Sequence, residues 1–415
     1  MTARRDGPPL RLLIATSAAD RRVCVVQGDR LSDFLLLPND APSLIGQISL
    51  GRLAKIDRAL EAAFVDCGGG QQGFLPLADA PANLTEGQKL IVQVAREPFD
   101  GKQMRLTARP VVAGYLLSYS PYAKSTVFPD PIAGNEKQRL QRALESLGDS
   151  KRGMNPWHAA AGADPKLLRA EAEALRAQWM LIDQKAAAAT APQTLQPGPD
   201  PVADLLRRIG PFVAEVCADT RVAAAQAESL CKALDPALAD KVTFRPRREW
   251  LPSVAELEEQ IDEALAGSIL LSSGAVLHID QTKAMTVIDI DSGQARLAGV
   301  GAKAERSLLQ INLDAVPEIA RQIRLRNLGG IIVIDFIDLR SRELRQNLVD
   351  ALRQAVAADP HPVWVGAMSR LGLLELTRQR RGPALTARLM QDCAACGNRH
   401  RLPRAELRPW IGKGV

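Results

Sequence analysis

The chain has 415 residues, 46% hydrophobic and 24% charged, a balance that is ordinary for a soluble globular protein and argues against disorder or a fibrous class. Lys and Arg outnumber Asp and Glu by 53 to 47, a formal charge of +6, which favours a polyanionic partner wherever the positive charge clusters. No window approaches the roughly 20 apolar residues of a membrane span, and the apolar stretch from Leu10, broken by Arg11, is too short for a signal peptide, so a cytoplasmic chain of about three domains is expected.

In chain order, the apolar runs Leu12-Leu13-Ile14, Val23-Cys24-Val25-Val26 and Phe34-Leu35-Leu36-Leu37 predict a small antiparallel meander. Five short strands follow, at residues 45–50, 62–65, 73–77, 90–94 and 105–108, and suit a small barrel. Helical periodicity takes over at 136–147 and again at 166–182, where Leu168, Ala172, Leu175, Trp179 and Ile182 share a face. The Ala-, Pro-, Gln- and Gly-rich segment 186–200 breaks all periodicity and is expected to be an exposed loop or linker.

From 266 to 400 strand and helix alternate as in an α/β domain. An apolar strand at 285–290 is followed by a helix whose Leu313, Val316, Ala320 and Ile323 line one side, stopped at Gly329-Gly330. Residues 331–334 are four consecutive β-branched side chains, the pattern of a strand buried on both faces. Ser341 can cap the next helix, with Leu344, Leu348, Leu352 and Val356 on one face, and 363–365 supplies another strand.

Three features carry chemistry. Two hydrophobic strands end in acid, one at Asp289 and Asp291, the other at Asp335 and Asp338. Ligands of open α/β sheets bind beyond the carboxyl ends of strands, and two carboxylates there suit Mg²⁺, which keeps several waters and takes substrate phosphate oxygens; capping a turn is the plain alternative for any one of them. Arg321 and Arg324 lie on the helix between these strands and Arg370 and Arg378 follow, either as a solvated face or as phosphate contacts beside the metal. In the barrel, Phe64 and Phe74 fall on adjacent strands, to stack bases or to fill the core, with Lys102 and Arg105 able to add charge. Finally, Cys393 and Cys396 form a CxxC, half of a tetrahedral Zn²⁺ site unless they remain two unligated thiols; closure requires His400 and another ligand, or a second subunit.

Taken together, Glu61-Ala-Ala-Phe-Val-Asp66, Gly73-Phe-Leu-Pro-Leu77, Thr286-Val-Ile-Asp-Ile-Asp-Ser-Gly293, Ile319-Ala-Arg-Gln-Ile-Arg-Leu-Arg-Asn-Leu-Gly-Gly330, Ile334-Asp-Phe-Ile-Asp338 and Gly372-Leu-Leu-Glu-Leu-Thr-Arg378 closely resemble the ribonuclease E/G family, over about residues 10 to 400. The resemblance implies an α/β multidomain chain. An RNase H-like part (10–44 and 201–265) would be interrupted by an OB-type S1 RNA-binding barrel (45–113) and a degenerate 5′-sensor region with a linker (114–200). A DNase I-like catalytic domain (266–390), a zinc link (391–400) and a short tail (401–415) would follow. It implies a Mg²⁺-dependent endoribonuclease that cuts single-stranded RNA and leaves 5′-phosphate and 3′-hydroxyl ends, in RNA processing or turnover. Asp289 and Asp335 match the family's two magnesium aspartates; Asp291 falls where the family has a supporting asparagine. Phe64, Phe74 and Lys102 match RNA-contacting positions, and Cys393 and Cys396 match the zinc ligands that two subunits share, so a homodimer is expected. There are three departures. The arginine and threonine that read a 5′-monophosphate would fall at Ala159 and Ala160, Asp replaces Asn at 291, and the chain ends about fifteen residues after His400, without the family's small assembly domain or the long scaffold tail of its larger members. The last point favours the ribonuclease G branch. The first two keep open a second reading, an RNA-binding paralogue with weakened catalysis; an unrelated metal-dependent phosphatase would leave the barrel and the CxxC unexplained.

Overall fold

The computed structural model describes residues 8–403, apart from 41–42, 99–102, 124, 129–131, 133, 149–151, 247–248, 250, 283, 296–300, 358, 381, 394 and 396–400. The chain is a multidomain α/β protein that divides into two compact units, one made chiefly of Leu37–Ala214 and Ala224–Val242, the other of Gly7–Leu36, Glu215–Ala223 and Thr243–Val415.

The first unit contains a closed five-stranded barrel. Ile48–Asp57 pairs with both Ala62–Asp66 and Lys89–Arg96, and Met104–Thr107 closes the ring between Lys89–Arg96 and Gln72–Pro76, an order consistent with an OB-type barrel. The strands alternate as the period of two requires: Ala63, Val65, Leu75, Val92, Val94 and Leu106 fill the interior. A side chain at Gly73 would collide with Leu106, so the barrel is closely packed at that point. The expected linker is only partly a loop. Helix Pro165–Ala188 runs into it, and Gln193–Gln196 then forms a sixth strand against Ile48–Asp57, with Leu195 buried. A four-residue strand with one buried apolar side chain leaves no periodicity to read. The helix itself follows the expected stripe, burying Leu168, Ala172, Leu175 and Ile182, and Asp164 caps its start.

In the second unit the N-terminal meander Leu10–Thr16, Asp20–Gln27 and Arg30–Pro38 is completed far along the chain by Val213–Ala218 and Val242–Phe244, giving a five-stranded sheet. A second sheet has six strands, in the order Ser268–Leu270, Val276–Gln281, Met285–Asp291, Gly330–Asp335, Leu373–Arg378, Val363–Met368. Its one parallel pair, Met285–Asp291 with Gly330–Asp335, is connected by helix Ala302–Leu325. That helix and Arg342–Val356, capped by Ser341, cover one face, where Ile288, Ile290, Ile332, Ile334, Leu374 and Leu376 are buried against Ile319, Ile323, Leu348 and Leu352. The other face is open, with Ile331 48% and Trp364 63% exposed. The run 331–334 is therefore buried on one face only, contrary to the expectation from its uninterrupted β-branching.

Candidate active site

Parallel pairing sets the register of the two acidic strand ends. Asp289 and Asp335 are direct partners across the pair, so their side chains leave the same, open face side by side. With Asp291, Asp338 and Leu371 they line a shallow cleft of about 490 Å³. Partial burial, followed by repulsion from Asp289 and Asp338, holds the Asp335 carboxyl above the usual carboxylate range. That is the electrostatic situation a bound cation relieves. Among the described residues no three His, Cys, Asp or Glu side chains are grouped to hold a metal ion; the donors on hand are the paired carboxylates of Asp289 and Asp335, oxygen ligands of the kind a hard divalent ion takes. Asp291 has a second use: its Oδ1 accepts from Gly293 N at 2.9 Å, closing the turn after the strand.

Sequence reasoning missed the residue that fixes this loop. Asn312, fully buried on helix Ala302–Leu325, donates to Ile337 O at 2.8 Å and accepts from Ile337 N at 3.0 Å, locking the backbone between Asp335 and Asp338. A lone Asn on the apolar side of an amphipathic helix was the available signal, because a buried amide needs such partners.

Three of the four arginines expected to hold phosphate are instead built into the interior. Arg321, 8% exposed, bonds to Glu318, Glu263, Gln260 and the Leu31 carbonyl. Arg324 pairs with Asp33, and Arg378, 3% exposed, grips Asp359 at 2.8 Å and the Leu328 carbonyl at 2.9 Å. Their donors are taken by partners inside the unit, so of these four arginines Arg370 alone, next to Leu371 in the chain, is exposed.

Phe64 and Phe74 are register partners on adjacent barrel strands, with ring centroids 6.1 Å apart and nearly perpendicular. Both are half-buried and alternate with the core residues Ala63, Val65 and Leu75, so they stand on the outside of the barrel and do not fill it. Lys55 lies opposite Phe64 and Arg105 opposite Phe74, the latter paired to Asp79 at 3.1 Å. The expected contribution of Lys102 falls outside the described residues.

Residues 112–381 match the model of the Ribonuclease E/G family. The chain belongs to that family. Ribonuclease E of Haemophilus influenzae is 32% identical over 93% of this chain and 43% of its own length, and ribonuclease E of Escherichia coli 32% over 93% and 38%. Ribonuclease G of Haemophilus influenzae is 28% identical over 96% of this chain and 85% of its own. The chain thus spans about two-fifths of the ribonuclease E relatives and most of the ribonuclease G relative. A solved multidomain protein with nucleic acid binding domains from Streptococcus pneumoniae aligns with 43% of this chain and 60% of its own at 15% identity and a TM-score of 0.16, a level that does not bear on the fold.

Ala159 and Ala160 lie in the 3₁₀ turn His158–Ala160, and the amide that follows is already committed: Gly162 N donates to Glu136 at 2.9 Å, while Arg139 bonds Glu136 and the carbonyls of Ala160 and Ala163. Arg139, and then Gly162, hold the Glu136 carboxyl below the usual range, so a carboxylate occupies the donors nearest this turn. Cys393 directly follows strand Met390–Asp392, which pairs with Arg401–Pro403. Cys396 and His400 lie outside the described residues.

Proposed function

We propose that this chain is a divalent-metal-dependent endoribonuclease that cuts single-stranded RNA at the cleft of Asp289 and Asp335. The observation that carries the reading is their direct pairing at the carboxyl ends of two parallel strands, in a member of the ribonuclease E/G family. Asp289 and Asp335 would hold Mg²⁺, and the ion, when bound, would activate water and neutralise charge on the phosphate under attack. Asn312 keeps Asp335 and Asp338 in place through the Ile337 backbone. Phe64 and Phe74 offer stacking surfaces to successive bases, which tolerates any sequence because every base has a flat face. Water attack on phosphorus with departure of the 3′-oxygen leaves 5′-phosphate and 3′-hydroxyl ends.

The same reading assigns the interrupted five-stranded sheet to an RNase H-like part, the barrel to an S1-type RNA-binding domain and the six-stranded unit to a DNase I-like catalytic domain. Cys393 and Cys396 of two chains would share one zinc and make a homodimer. Alanines at 159 and 160, with Glu136 filling the donors of Arg139 and Gly162, favour indifference to the 5′ end of the RNA. The reading includes a cytoplasmic role in RNA processing or turnover.

The test is an A/U-rich labelled single strand bearing either a 5′-monophosphate or a 5′-hydroxyl, incubated with the purified chain with and without Mg²⁺ and compared with the same strand in a duplex. Mg²⁺-dependent cuts confined to the single strand, at similar rates for both 5′ ends, are expected. Binding without cleavage at any metal concentration would leave an RNA-binding paralogue.

A further inference from the structure

The turn between strands Val363–Met368 and Leu373–Arg378 presents Leu371, 82% exposed and the most exposed large hydrophobic side chain among the described residues. Exposure of a leucine on a loose loop would mean little, but this turn is fixed. Ser369 Oγ accepts from Leu371 N at 3.3 Å and Leu373 N at 3.2 Å, and Ser369 N donates to Leu373 O at 2.8 Å. Gly372 has φ +84°, and a Cβ there would lie 3.1 Å from Asp338 Oδ1, so the turn is seated against the acidic loop. Leu371 is thus held at the rim of the cleft that Asp289, Asp335 and Asp338 line. A single exposed leucine is ordinary on a protein surface, but this one is fixed in the lining of the cleft that holds Asp289 and Asp335, where a flat apolar part of a substrate can be received.

We propose that Leu371 forms a nucleobase subsite: the base next to the phosphodiester held at Asp289 and Asp335 packs on the leucine, with Arg370 adding positive charge on the same turn. The inference rests on the nuclease reading and deepens it. An aliphatic contact to a base face reads no donor or acceptor pattern, so it would orient the strand and leave the sequence free. Leu371 is then a substrate-positioning contact of the reaction, separate from the carboxylates that carry the chemistry.

The experiment uses oligonucleotides with one defined cleavage site, either intact or carrying a single abasic nucleotide immediately 5′ or 3′ of it, with the wild-type chain, Leu371→Ala and Leu371→Phe. The wild type should lose about tenfold in kcat/KM on one of the abasic substrates. Leu371→Ala should cut the intact strand at that reduced level and no longer distinguish it from the abasic one, while Leu371→Phe restores the difference. The Mg²⁺ concentration for half-maximal rate should be the same in all three. An unchanged intact-to-abasic ratio in Leu371→Ala would overturn the subsite, as would a change confined to its association state, which would make Leu371 a contact between copies of the chain. If the wild type cuts nothing, the nuclease reading fails; the subsite is then decided by the same ratio read as binding affinity for the intact and abasic strands.

Discussion

At the scale of single residues, the pair Asp33–Arg324 shows how this sequence spends its arginines. Burial alone would raise the Asp33 carboxyl, but the Arg324 charge and hydrogen bond, with help from Ser32, reverse the sign and hold it below its ordinary value. A depressed carboxyl stabilises the fold above its unfolded pKa of about 3.9, and that contribution is lost as pH falls through the lower folded value. Asp33→Asn should therefore cost on the order of 3–5 kcal/mol at neutral pH, because Arg324 is left buried without its counter-charge. Urea unfolding at pH 7 and pH 3 checks this: the gap between wild type and variant should shrink at the acid end. Asn312→Ala is the second residue-scale prediction. It strands the N–H and C=O of Ile337, costing about 1–3 kcal/mol of stability, and it loosens the Asp335 loop, which should lower cleavage by up to about a hundredfold. Denaturation alongside single-turnover rates separates the two effects; a stability loss with unchanged rate would reduce Asn312 to a packing residue. The aspartates were legible in the sequence because an acid ending an apolar strand is a local signal. The fates of Arg324 and Arg378 were not, since their partners Asp33 and Asp359 are distant in the chain or unmarked by any pattern, and Arg321 adds the distant Glu263 to its helical neighbour Glu318.

At the scale of elements, the barrel was legible because five short alternating strands leave few ways to bury Ala63, Val65, Leu75 and Leu106 together. The strand Gln193–Gln196 was not, because four polar-rich residues are held by ladder hydrogen bonds and a single leucine. The side on which Phe64 and Phe74 stand was ambiguous until the alternation on both strands could be read against a known interior. Since both rings stand outside, Phe64→Ala and Phe74→Ala should leave the barrel folded and each weaken single-strand binding by about 1–3 kcal/mol. The dependence of affinity on salt should keep its slope, because no phosphate contact is removed. Fluorescence anisotropy with an unstructured oligonucleotide at several salt concentrations measures both quantities. A collapse of thermal stability in either variant would return the ring to the core.

At the scale of the whole molecule, the chain leaves its first sheet after Arg30–Pro38, builds the barrel and helical layer, and returns at Val213–Ala218 to finish the sheet. Composition and periodicity did not disclose that return; it entered through the family resemblance, since strand partners nearly two hundred residues apart leave no local trace. The proposed zinc site has the same character, as a CxxC by itself supplies only half of a tetrahedral set. Two chains sharing a tetrahedral thiolate site predict about one zinc per two chains, and Cys393→Ser should release both the metal and the dimer. Metal analysis paired with light scattering tests this, and one zinc retained per monomer would assign the site to a single chain.

In the proposed division of labour, Asp289 and Asp335 do the chemistry while other surfaces hold the RNA. It is tested most directly by single-turnover cleavage and equilibrium binding of one single-stranded oligonucleotide, measured side by side for the wild type, Asp289→Asn and Asp335→Asn. Each substitution should lower the cleavage rate by at least about a thousandfold, or roughly 4 kcal/mol of barrier, with binding changed by less than about threefold, near 0.6 kcal/mol. Cleavage persisting near the wild-type rate in either variant, or in the wild type with all divalent metal chelated, would contradict the account.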